Sequence, residues 1–231
     1  MFPLKDDNPS RTTPVFTIAL IIANVLVFIY QVSLEIGGSE GTRAAESFIR
    51  EFGLVPCRLT GSCLVAADLP SPVLTIFTSM FMHGGWFHVG GNMLYLGIFG
   101  NNIEDTLGHV RYLLFYLASG VAAALAQVLV NPTSDVPMVG ASGAVSGVLG
   151  AYLLLFPHAH VTTLIILGFF FRVVRVPALI VLGFWIVLQV LNGLGSFGAR
   201  GGVAFFAHIG GFLAGMALLF VLRPRARSRS A

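Results

Sequence analysis

The sequence predicts an all-α membrane protein, a bundle of six transmembrane helices whose long first loop lies on the membrane. Three observations carry that prediction. The 231-residue chain is 56% hydrophobic and only 10% charged, where soluble domains average about 25% charged residues. The charges are unevenly placed, and long stretches carry none. Apolar runs near the spanning length of about 20 residues recur along the chain. The bilayer is therefore the solvent that defines the fold. The expected organisation is a cytoplasmic segment over 1–14, a six-helix membrane domain over 15–222 and a basic cytoplasmic tail over 223–231. No internal repeat, low-complexity tract or soluble second domain is visible.

Residues 1–14 are polar and end in Pro14. Residues 15–33, from Val15 to Ser33, are uncharged and long enough to span. A signal peptide is the rival reading, but the run is long for its apolar region and no small-x-small cleavage site follows closely. It is read as a retained first helix. Residues 34–82 are too charged to span, yet they hold apolar clusters such as Phe48, Ile49, Phe52, Leu54 and Val55. Short amphipathic pieces on the membrane surface fit that pattern. Cys57 and Cys63 are the only cysteines; two thiols do not make a zinc site, and a small disulfide or two unpaired thiols are equally open. The remaining spans fall at 87–104, 111–130, 142–156, 177–194 and 204–222. Residues 157–176 are apolar but contain Pro157, Arg172 and Arg175, and Pro177 follows. They read as a re-entrant or interfacial connection, with a short hairpin equally allowed.

Six spans put both termini on one side. Lys5, Arg11, Arg111, Arg172, Arg175 and the tail residues Arg223, Arg225, Arg227 and Arg229 then lie inside, nine in all, against four outside: Arg43, Arg50, Arg58 and Arg200. This excess places the termini in the cytoplasm. The formal charge is +3. The arginine tail follows an apolar helix, so it reads as an anchor against anionic lipid, and nucleic acid is not expected as a partner. The expected location is a bacterial inner or plasma membrane.

The fourth span is short. From Ser142 to Phe156 it would run about 22 Å at ~1.5 Å per residue, against a hydrocarbon core of about 30 Å. With its inner end at the cytoplasmic interface, Ser142 lies below the outer surface and the 131–141 loop dips in after it. Irregular backbone at that depth is tolerated only where protein or a water-filled cavity covers it. The spacing predicts a cavity open to the outside with Ser142 at its floor.

Gly143 and Gly147 on this span form a small-xxx-small pair, and Gly211 and Gly215 on the sixth form another. Such faces let backbones approach closely in lipid. His208 lies three residues before Gly211 and Ser142 one before Gly143, so packing the two faces would bring imidazole to hydroxyl, the geometry that activates a serine. Either residue alone is better read as plain packing; the pair on matching faces is not. Asp135 is the last acidic residue, so the unit should be a Ser–His dyad, with something other than Asp orienting the ring. Ser146, one turn after Ser142, is a candidate to hold the other ring nitrogen or a water. His88 and Asn92, four apart on the second span, can donate to a developing oxyanion, and the Ser142 backbone N–H can add a third bond. His83 precedes that helix and pins the loop. Glu104 and Asp105 close the second span as structural partners of Arg111 or backbone. His83 and His88 are five apart and no HExxH is present, so no metal and no cofactor are expected. The glycine-rich stretch 193–202, with Phe197, is a candidate lid, and Gln189 and Asn192 could line a water path.

At this point the chain resembles the rhomboid intramembrane serine proteases over residues 15–222. Three motifs carry the resemblance: His83-x4-His88-x3-Asn92, Gly140-Ala141-Ser142-Gly143 and His208-x2-Gly211-x3-Gly215. It implies Ser142 as nucleophile and His208 as general base. It implies an oxyanion hole of His88, Asn92 and the Ser142 amide, and structural roles for His83 and Glu104. It also implies a six-helix bundle with a water-filled cavity open to the outside. The implied partners are the lipid bilayer and transmembrane protein substrates, cut in or near a membrane segment, often after a small residue. Two positions depart from the pattern. Ser146 stands where many members carry an aromatic ring stacked on the histidine, and Leu74-Thr75 stands where many carry a Trp-Arg pair. A catalytically inactive binder of transmembrane helices is the rival reading, opposed by the intact Ser142, His208, His88 and Asn92. A small channel or transporter is opposed by the lack of ionisable residues along a pore.

Overall fold

The computed structural model describes residues 2–64, 69–168, 170–196 and 203–224. The chain is mostly helical. Strand β1 (Phe2–Asp6) is followed by α1 (Val15–Leu34), α2 (Ser39–Phe52), α3 (Pro56–Thr60), α4 (Pro72–Thr78) and a single 3₁₀ turn at Ser79–Phe81. Then come α5 (Trp86–Leu107), α6 (His109–Val130), α7 (Ser142–Leu155), strands β2 (His160–Leu167) and β3 (Phe170–Pro177), α8 (Ala178–Gly195) and α9 (Phe205–Leu222). Among the described residues four helices, α1, α6, α8 and α9, are long and apolar enough to cross a membrane. Helix α5 is as long as α6 but carries more polar groups, among them Asn92, Asn101, Asn102, Glu104 and Asp105. Large apolar side chains such as Leu26, Leu129, Phe220 and Val221 point outward on these helices, as expected where lipid rather than water surrounds the bundle.

Helix α7 is the axis of the bundle. It is apolar on all sides, and every residue from Gly143 to Tyr152 is buried, the pattern of a helix enclosed by others. Its 14 residues reach about 21 Å, and it stops at Phe156, just before Pro157, because proline lacks the N–H and disfavours helical backbone before it. The two glycine faces meet. A side chain at Gly211 would strike the Gly143 carbonyl, and one at Gly215 would strike the backbone of Gly147. Behind α7, Ser119 and Ala123 of α6 fill the space beside Gly147 and Gly143. Lower down, Phe99, Tyr112, Phe115 and Tyr152 are fully buried.

The all-α expectation is corrected by a three-stranded antiparallel sheet, in the order β1-β2-β3. Of the alternatives open for the segment 157–176, the structure shows the hairpin, with His160 opposite Pro177 and Leu167 opposite Phe170. Gly168 begins the reversal at φ +60, a conformation glycine adopts without steric cost. The polar N-terminal segment supplies the third strand, with Phe2 opposite Leu164 and Asp6 opposite Val161. Hydropathy alone cannot distinguish this β-branched run from a membrane-facing one, and its second partner, β1, lies more than 150 residues away. Asp6 is buried and accepts a 2.7 Å hydrogen bond from the Tyr152 hydroxyl on α7.

The first loop folds as the short helices α2 to α4. Cys57 and Cys63 form a disulfide. Thr75 is buried and donates to the Pro72 carbonyl, while Leu74 beside it is half exposed.

Candidate active site

The backbone that carries Ser142 is held from three directions. Leu54 and Met138 pair across an isolated bridge. The Cys57 N–H donates to the Ser134 carbonyl at 2.9 Å and the Gly140 N–H to the Ser79 carbonyl at 2.9 Å. The first loop therefore grips the 131–141 loop and presents Ser142 at the first turn of α7. Gly140 has φ +131, and a Cβ there would lie 2.7 Å from the His88 ring. Only glycine fits both the backbone and the neighbour.

His208 Nε2 lies 2.8 Å from Ser142 Oγ. The glycine faces account for this distance: α9 approaches α7 without intervening side chains, so an imidazole on α9 reaches a hydroxyl at the start of α7. His208 Nδ1 faces Gln189 Oε1 at 2.8 Å. The Trp185 ring lies 5.9 Å from the imidazole, tilted by 37°, and Phe205 meets it edge-on at 6.5 Å.

His88 and Asn92 stand on one face of α5. The Gly84 N–H donates to His88 Nδ1 at 3.3 Å, so Nε2 carries the ring proton and can donate toward the cavity. The Asn92 Nδ2 is buried and makes no hydrogen bond among the described residues. The Ser142 N–H sits in the first turn, where no intrahelical acceptor exists. His88 and Asn92 of α5 line one cavity of about 1150 Å³ together with Ser142, His208 and Trp185.

His83 is displaced from this cavity. Its backbone exchanges hydrogen bonds with the Gln31 side chain at 3.0 and 3.1 Å, and its Nε2 accepts from the Ala141 N–H at 3.5 Å. It ties α1 to the loop before Ser142. Glu104 is fully buried at the far end of α5. It accepts from the Phe16 and Thr17 N–H groups, the Thr17 hydroxyl and His109 Nδ1, all within 2.6–2.9 Å. Of the two partners expected for Glu104 and Asp105, the structure shows backbone rather than Arg111, which is exposed: Glu104 caps the start of α1 and Asp105 accepts from the Thr12 N–H and hydroxyl.

One expectation changes. Ser146 does not hold the histidine ring. Its hydroxyl donates to the Ser142 carbonyl one turn back at 2.6 Å, the usual local outlet for a serine inside a helix. Gln189 stands at the His208 ring, and Asn192 is exposed. What the sequence reading missed is that Gln189 and Trp185, one turn apart on α8, share one target. A polar side chain one turn from an aromatic in an otherwise apolar span is the signal that could have found them. The lid expected over 193–202 lies largely outside the described residues, as do Phe197 and Arg200. Among the described residues, no three His, Cys, Asp or Glu side chains come together.

The Rhomboid domain family model matches residues 70–225. RHOMBOID-like protein 1 of Arabidopsis thaliana is 29% identical over 223 residues, covering 90% of this chain and 53% of its own length. Rhomboid protein 1, mitochondrial, of Saccharomyces cerevisiae is 32% identical over 160 residues, 66% of this chain and 43% of its own length. Rhomboid protease GluP of Bacillus subtilis is 30% identical over 207 residues, 89% of this chain and 35% of its own length. The chain spans about half the length of these relatives or less.

Proposed function

Because the chain belongs to the rhomboid family, we propose that it is an intramembrane serine endopeptidase that cleaves membrane proteins within or beside a transmembrane segment. The observation that carries this reading is the 2.8 Å approach of His208 Nε2 to Ser142 Oγ in a cavity lined also by His88 and Asn92. A nucleophile with its base and candidate oxyanion donors along one cavity are the parts acyl transfer needs, which supports the reading.

In the proposed cycle, Ser142 Oγ attacks the scissile carbonyl carbon as its proton passes to His208 Nε2. The carbonyl oxygen takes up the electron pair and is met by His88 Nε2–H, Asn92 Nδ2–H and the Ser142 N–H. Collapse of the tetrahedral intermediate breaks the C–N bond, and the His208 imidazolium protonates the leaving amine. A water then gives its proton to His208, attacks the acyl-serine, and releases the new carboxyl terminus as Ser142 recovers its proton. His83, Gly140, Gly143, Gly211 and Gly215 hold these groups in place without taking part in proton transfer.

The proposed topology has six crossings, α1, α5, α6, α7, α8 and α9, with both termini cytoplasmic. The cavity then opens away from the cytoplasm, with the first loop and its disulfide on the same side. A disulfide suits an oxidising compartment, and the lysine and arginine distribution supports the same orientation.

The test is reconstitution of wild type and Ser142→Ala with a transmembrane reporter, with a serine-directed phosphonate added in parallel. Wild type is expected to cleave and to be labelled, and Ser142→Ala to do neither. Cleavage that survives Ser142→Ala would end the serine-protease reading. No cleavage and no labelling in wild type would leave a helix-binding relative.

A further inference from the structure

Building on the serine-protease reading, we propose that Gln189 is the positioning residue of the base: its side-chain carbonyl holds His208 in the tautomer that accepts the Ser142 proton, with Trp185 backing the ring. A neutral imidazole has one N–H, and the partner of one nitrogen decides whether the other can accept. For His208 to take a proton at Nε2, the ring proton must sit on Nδ1, and Nδ1 must find an acceptor. The atom there is Gln189 Oε1, at 2.8 Å.

An amide can present either end, so the orientation has to be argued from its surroundings. Gln189 Nε2 lies 3.4 Å from the Trp185 carbonyl, which can only accept. With the NH₂ group toward Trp185, the side-chain oxygen faces His208 and both contacts are satisfied. The reverse orientation would set two oxygens against each other and turn the NH₂ group on Nδ1. The ring proton would then move to Nε2, and Ser142 would lose its acceptor. The one arrangement in which both contacts are attractive is therefore the one competent for proton transfer.

This replaces the role a carboxylate plays in a triad with a neutral group. The chain has no acidic residue after Asp135, and a buried carboxylate on α8 would carry a large desolvation cost. An amide carbonyl orients the ring without that cost, although it gives the imidazolium only a dipole for support. Trp185 supplies the second half of the support. Its ring packs 5.9 Å from the imidazole, on the same helix and one turn from Gln189, in a site where Ser146 offers no ring and turns its hydroxyl back to Ser142.

The experiment compares the full chain with Gln189→Leu and Gln189→Glu in detergent micelles, by ¹⁵N NMR of histidine side chains and by reporter cleavage across pH. In wild type, His208 should show the proton on Nδ1. In Gln189→Leu that tautomer should lose its dominance, with kcat falling about tenfold and KM unchanged. Gln189→Glu should restore the acceptor and most of the rate. It should also move the acid limb of the kcat/KM profile to higher pH, because a nearby carboxylate favours imidazolium. An unchanged tautomer in Gln189→Leu together with unchanged kcat would overturn the proposal. So would a rate loss that Gln189→Glu does not rescue while Ser142 still reacts with the phosphonate. The tautomer readout needs no turnover, so wild type that fails to cleave would count against the protease reading while the spectrum still decides the role of Gln189.

Discussion

Gly140 joins two constraints at one residue. Its φ of +131 disfavours any side chain, and a Cβ there would lie 2.7 Å from the His88 ring. Gly140→Ala is expected to push His88 off its position between the Gly84 amide and the cavity. Loss of one oxyanion donor costs about 10²- to 10³-fold in kcat, and Gly140→Ala should approach that range with substrate affinity little changed. If the damage runs through His88, the double variant Gly140→Ala/His88→Ala will be no slower than His88→Ala alone, a non-additivity that a mutant cycle measures. Two fully additive losses would show that Gly140 acts elsewhere.

Helices α7 and α9 meet backbone to backbone, and their contact sets the distance between Ser142 and His208. In lipid, apolar side chains gain nothing by leaving the solvent for each other, so close packing and polar contacts hold helices together. Gly215→Val would place side-chain carbon against the Gly147 backbone. It should lower stability by about 1–3 kcal/mol, seen as a lower thermal midpoint in detergent, and reduce phosphonate labelling as Ser142 and His208 part. Gly183 on α8 has open space around its missing Cβ. Gly183→Ala should leave the midpoint unchanged or raise it slightly, since alanine is the better helix former by about 1 kcal/mol. Equal effects of the two substitutions would mean that the α7–α9 contact is not what holds the bundle.

Across the whole molecule, the N-terminal strand closes the end of α7 opposite Ser142. Burial pushes the Asp6 carboxyl above the usual carboxylate range, and this outweighs the lowering effect of the Tyr152 hydroxyl. A carboxyl raised in the folded state binds its proton more tightly there than in the unfolded chain. Stability therefore falls as pH rises from the ordinary carboxylate value through the raised one, and the contribution is fully present only below that window. Asp6→Asn should flatten this slope in thermal unfolding measured between about pH 4 and 7. A slope that persists unchanged would assign it to other groups.

The helices were legible because their signal is local. The spans expected at 15–33 and 111–130 appear as Val15–Leu34 and His109–Val130, since an apolar run of that length has few alternatives in a bilayer. The shortness of α7 and the glycine spacing of α7 and α9 were likewise written along the chain, and they were enough to expect Ser142 and His208 to meet. The β2–β3 hairpin was legible only as one of several options, because a β-branched apolar run reads the same in a hairpin as at an interface, and β1 was not legible, because its partner lies more than 150 residues away. The partner of His208 was not legible either. The sequence showed that no carboxylate was available, but it could not say which neutral group would stand at Nδ1. A fourfold helical repeat favoured Ser146, whereas the rotation of α8 against α9 brought Gln189 and Trp185 to the ring. Composition and periodicity determined which segments are helices, and the motifs along the chain marked Ser142, His208, His88 and Asn92 as candidates. The tertiary structure alone decided how those helices turn toward one another, because side chains on different helices meet only through packing.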